Sequence, residues 1–136
     1  MSFTTEVPTS TSKPQLPTIQ ENQEANLEEV RQLGAPQEGA SIALLFGNGY
    51  RYRHNWGNLK GQHILPLNWS LIRPNSLVFV AIGEGAAGGI SNGKFIGEAR
   101  YTVHNVAPQN GVISIWVNIE WPNPIPLYVD YFVFNP

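Results

Sequence analysis

The stretch EARYTVHNVAPQNGVISIWVNIEW, residues 98–121, decides the fold. Residues 98–106 and 112–121 alternate apolar and polar side chains with period two, as strands with one buried and one wet face do. Between them stands Ala107-Pro108-Gln109-Asn110-Gly111, and Asn-Gly is a strong hairpin signal. With Val106 opposite Val112, Ala99, Tyr101 and Val103 face Ile119, Val117 and Ile115 on the core side. The other face then pairs His104 with Ser114, Thr102 with Trp116, Arg100 with Asn118, and Glu98 with Glu120. A slip by one residue would bury Arg100 and Glu120, so the parity of the hairpin is well determined. The last pair sets like charges opposite each other, which is unfavourable by itself. Arg100 or Lys94 nearby, or a different register at the strand ends, would relieve it. A carboxylate pair of the glycosidase type, or a cation site, is the chemical alternative.

Outward from the hairpin, SIALLF (41–46) and LVFVAI (77–82) are continuous apolar runs of the kind found in buried strands. LYVDYFVF (127–134) is apolar on both faces except for Asp130. Pro122, Pro124 and Pro126 alternate, which suits a stiff connection and not a central strand. Gly, Pro and Asn clusters separate these runs, and no repeat of fixed period is present. The expectation is an all-β fold, an antiparallel β-sandwich or jelly roll, over residues 36–136. Residues 1–18, with Pro8, Pro14 and Pro17, read as an extended arm. Residues 19–35 read as a short helix and linker. Thr18 and Glu21 have capping-box spacing, Leu27, Val30 and Leu33 form a thin apolar stripe, and Gly34 is a fitting stop.

Only 13% of the residues are charged, against about 25% in ordinary domains, so Asn, Gln, Ser, Thr, Gly and Pro must cover the surface. The net charge of −2 offers no global pull toward nucleic acid. It is unevenly spread. Residues 1–40 carry six glutamates against Lys13 and Arg31, giving −4, while residues 41–136 sum to +2. No apolar run approaches the length of a spanning helix, so membrane insertion is not expected. The opening MSFTTEVPTSTSKPQ has no apolar segment of the signal-peptide kind. The chain has no cysteine, which removes disulfides and thiolate chemistry. Its compartment is not legible.

Chemical motifs are sparse. Gly83, Gly85 and Gly88 have the GxGxxG spacing after a strand, but GGISNGKFIG is no helix, so nothing would hold a pyrophosphate. Asp130 is the one aspartate, and His54, His63 and His104 stand far apart, so neither metal nor cofactor is expected. No GxSxG elbow is present. An enzyme using His104 with Glu98 or Glu120 is the third choice.

What remains is aromatic. GYRYRHNWGN, residues 49–58, crowds two tyrosines, two arginines, a histidine, a tryptophan and two asparagines together. Alternation sends Tyr50, Tyr52 and His54 to one side and Arg51 and Arg53 to the other, leaving Asn55-Trp56-Gly57-Asn58 as a turn that presents Trp56. Such rings stack on sugars or anchor protein interfaces, or else cap a small core. The leading expectation is a non-catalytic, lectin-like or adhesion-type binding module for a carbohydrate or a protein surface. Its candidate site residues are Arg53, His54, Asn55, Trp56, His104, Trp116 and Asn118. The alternative is a self-assembling shell, capsid or filament subunit, a homo-oligomer that exchanges its N-terminal arm.

Overall fold

The structure, a computed structural model, describes residues 16–26, 31–33, 47–86 and 93–136. The strand expected at 41–46 and most of the expected arm lie outside them. The described residues are all-β, with ten strands: β1 (Thr18–Ile19), β2 (Gln23–Glu24), β3 (Arg31–Leu33), β4 (Asn48–Leu59), β5 (Gly61–Asn68), β6 (Leu77–Gly85), β7 (Lys94–Phe95), β8 (Arg100–Gln109), β9 (Val112–Glu120) and β10 (Ile125–Asn135).

Two curled sheets enclose the core. In the first, β5 pairs with β9 and β9 with β8, while β1 and β2 add to the outer edge of β5. The second runs β3-β4-β10-β6-β7. The strand alternation read from the sequence sends Ile113, Ile115, Val117 and Ile119 of β9 inward, each at most 1% exposed. Val129, Tyr131 and Val133 of β10 face them across the core. Trp69 and Ile72, on the loop after β5, close one end.

The helix expected over 19–33 is absent among the described residues of that stretch, where the extended segments β1, β2 and β3 stand instead. Strand pairing wins because β5 offers its free edge. Gln20 N–H donates to the Ile64 carbonyl at 3.0 Å and Ala25 N–H to that of Asn68 at 2.9 Å. A thin three-residue stripe cannot match ladder bonds of this kind, and a short helix is marginal alone. The edge addition is itself broken. β1 pairs with His63 and Ile64, and β2 with Leu67 and Asn68. Pro66 lies in the gap, and it has no N–H to continue a ladder.

Prolines also explain two boundaries that differ from expectation. The hairpin loop is only Asn110-Gly111, with Gly111 at φ 73°, and β8 continues through Pro108. That is tolerated because β8 is an edge strand, with an open side where no donor is needed. Pro126 falls inside β10, the centre of its sheet, but only where β10 has β4 as a neighbour, since pairing with β6 begins at Leu127.

The shorter loop shifts the hairpin register. Arg100 lies opposite Glu120, Tyr101 opposite Ile119 and Val103 opposite Val117. Parity is kept for these residues, and the like-charge pair Glu98–Glu120 does not form. A bulge between Val103 and Asn105 then leaves His104 unpaired in the ladder. The apolar run 77–82 is a strand but is not buried on both sides: Leu77 is 43% and Phe79 63% exposed.

Candidate functional site

The seven sequence-selected residues fall into three places. The first is the core. β4 runs unbroken from Asn48 to Leu59, so Trp56 sits in a strand and not in a presenting turn. Period two carries Tyr52, His54 and Trp56 to the interior, at 3%, 9% and 6% exposure. Trp56 therefore offers no ring face to a ligand, and His54 no free nitrogen. Instead Tyr52 and His54 form a bonded row with Gln23, and the Trp56 ring packs edge-on against His54. Tyr52 Oη lies 2.7 Å from His54 Nδ1, and His54 Nε2 lies 2.6 Å from Oε1 of Gln23 on β2. An amide oxygen can only accept, so Nε2 carries the hydrogen and Nδ1 accepts from Tyr52. Trp56 Nε1–H donates to Tyr131 Oη at 3.1 Å.

This arrangement suits a neutral imidazole. Burial pulls the His54 pKa below its ordinary value. As pH falls below about 6.5 the unfolded chain binds a proton that the folded chain resists, so stability is full above that pH and is lost as pH drops toward the folded pKa. We expect thermal melts to weaken from neutral pH toward pH ~5, by at most about 1.4 kcal/mol per pH unit from this group. His54→Gln should flatten that slope. An unchanged slope would remove His54 as its origin.

The second place is the outer face of the β3-β4-β10-β6-β7 sheet, which carries Arg53 and Asn55. Arg53 grips Asp130 with two bonds, Nε to Oδ1 at 2.6 Å and Nη2 to Oδ2 at 2.9 Å. Lys94 Nζ approaches Oδ2 at 2.7 Å. Partial burial pushes the Asp130 carboxyl up, but these hydrogen bonds and charges more than offset it and hold the pKa at about 2. Arg53 is thus committed to an intramolecular pair. Asn55 Oδ1 accepts from Gly57 N–H at 2.8 Å, shaping the end of β4.

The glycines of the GxGxxG string have a local explanation on this face. A Cβ on Gly85 would run into the Tyr128 ring, and one on Gly83 would meet Lys94 Cδ at 3.0 Å. They permit close packing across the sheet, and Gly88 lies outside the described residues. Among the described residues, no group of His, Asp or Glu side chains could hold a metal ion.

The third place is the outer face of the β1/β2-β5-β9-β8 sheet, where His104, Trp116 and Asn118 come together. Trp116 lies opposite Ile64 on one side and Asn105 on the other, and Asn118 opposite Gln62 and Thr102. Trp116 is half-buried, and its Nε1–H donates to Gln62 Oε1 at 2.9 Å, which fixes the ring. The His104 ring, displaced by the bulge, lies 4.9 Å from the Trp116 ring at 41°. Beside them is an open depression of about 160 Å³ lined by Ile64, Asn105, Ala107, Ser114, Ile115 and Trp116. No charged side chain lines it.

Gln62 and Asn105 escaped the sequence reading. Residues 61–68, interrupted by Pro66, carry no clear strand signal, and the bulge that puts Asn105 opposite Trp116 leaves no local signature. No family model, curated protein or solved structure matches the chain.

Proposed function

We propose that the chain is a non-catalytic binding module for a neutral carbohydrate, carried on the outer face of the β5-β9-β8 sheet. The carrying observation is Trp116: a ring fixed by Gln62, edged by His104, and opening on an uncharged depression with Asn105 and Ser114. A fixed aromatic face accepts the apolar side of a sugar ring, and short amide and hydroxyl side chains reach its hydroxyls. The absence of charge in the lining favours a neutral ligand over an acidic one. The scaffold fits a β-sandwich of jelly-roll type, because the chain crosses between sheets at β4–β5, β5–β6, β7–β8 and β9–β10.

The test is a neutral-glycan array with the full chain and with Trp116→Ala. The expected result is a bound glycan whose affinity falls roughly ten-fold or more in the variant, with the melting temperature little changed. Binding that survives loss of this ring would overturn the site.

A further inference from the structure

The outer face of the other sheet carries a second, different surface. Cross-strand pairing sets Arg51, Phe132 and Phe79 in one row and Gly49, Phe134 and Leu77 in the next. The Phe79 and Phe132 rings stack at 6.3 Å and 26°. Phe79 is 63% exposed, and both rings line a depression of about 230 Å³ together with Arg51, Ala81 and Asp130. Asp130 is already held by Arg53 and Lys94. Arg51 is exposed and in no ion pair among the described residues. The surface is therefore apolar with surplus positive charge. An exposed aromatic patch of this kind marks an interface.

Its complement is present in the same chain. The segment from Leu16 to Asn26 exposes Leu16 at 93% and Ile19 at 73%, and Glu21 and Glu24 are exposed beside them. Neither glutamate has an ion-pair partner among the described residues. This segment is apolar and acidic where the receiving face is apolar and basic, in line with the −4 and +2 charges of residues 1–40 and 41–136. Within one molecule the two cannot meet, because β1 and β2 are hydrogen-bonded to β5 of the opposite sheet.

We infer that the chain associates head to tail, the Leu16–Glu24 segment of one copy docking on the Arg51–Phe79–Phe132 face of the next. The two patches differ, so the contact is heterologous and propagates into a ring or an open filament rather than stopping at a two-fold dimer. Its ionic component weakens with salt.

Sedimentation velocity of the full chain over a range of concentrations tests this, at low salt and at about 0.5 M salt. The expected species grow with concentration as multiples of 15.1 kDa and shrink in high salt. Arg51→Glu alone, and Glu21→Lys with Glu24→Lys, should each weaken association roughly ten-fold or more. Mixing these two variants, or combining all three substitutions in one chain, should restore it by reversing both charges. All positions are exposed, and circular dichroism checks that each variant is folded. A monomer at every concentration overturns the inference. So does a dimer insensitive to the swaps, or a charge reversal that fails to rescue. Arg51-dependent binding to anionic vesicles by a chain that stays monomeric would assign the face to a lipid surface and overturn it equally.

Discussion

Trp56→Ala should lower the unfolding free energy by about 3–5 kcal/mol, the cost of deleting a large buried aromatic. Domains of this size are stable by only about 5–15 kcal/mol, so the variant should lose a large share of its stability. The ring is 6% exposed and lies 4.7 Å from that of His54. It also satisfies Tyr131 Oη, a hydroxyl on a residue 1% exposed. Burial pushes the Tyr131 pKa upward, so the phenol stays neutral. Losing the indole leaves a cavity and removes a hydrogen-bond donor together. Trp56→Phe retains most of the volume and should cost less, with the lost Nε1–H as the remaining deficit. Urea unfolding of the two variants measures this. An alanine variant within about 1 kcal/mol of the parent would mean that the ring is not part of the core. Trp116→Ala is the internal contrast: that ring lies on an outer face, so its removal should affect binding far more than folding.

Gly85→Ala should destabilise by about 1–3 kcal/mol, although it adds a single methyl group. The new Cβ would overlap Cε1, Cδ1 and Cζ of Tyr128, and Tyr128 is only 6% exposed and cannot swing freely into solvent. Gly83→Ala, two residues earlier, meets only the flexible Lys94 chain and should cost well under about 1 kcal/mol. The mechanism makes a further demand. If overlap with the ring is the cause, Tyr128→Ala in the same chain should cancel much of the Gly85→Ala penalty, leaving a coupling of about 1 kcal/mol or more in the double-mutant cycle. Additive effects would show that the penalty arises elsewhere.

Both predictions concern residues whose sequence signals pointed the wrong way. Trp56 stands among Asn and Gly and looks like a turn residue. Yet the alternation that begins at Tyr50 continues through it, and β4 pairs with β10 again at Asn58 and Leu59, past a bulge at Gly57. Gly83 and Gly85 imitate a phosphate loop, but what Gly85 serves is a tyrosine on the adjacent strand. Of the candidate site, His104, Trp116 and Asn118 do share one face. Arg53 was legible as a surface residue, but its bidentate hold on Asp130, 77 positions away, was not.

The sequence by itself determined which side of the hairpin strands β8 and β9 is apolar. Side-chain direction alternates along an extended chain whatever its partners, so Ile113, Ile115, Val117 and Ile119 were bound to face one core, whereas on β10, apolar on both sides, only the fold chose Val129, Tyr131 and Val133 for burial. It also determined the hairpin at Asn110-Gly111, because that dipeptide can turn without strain. Only the tertiary structure decided register, bulges and edges. The register shift follows from a two-residue loop, which Pro108 permits only because β8 has no neighbour on its open side. The N-terminal segment took strand over helix because β5 had a free edge to offer. His104 reached Trp116 through a bulge that no local residue announces. These outcomes depend on which backbone donors and acceptors lack partners in the assembled sheets, and that is a property of the whole fold.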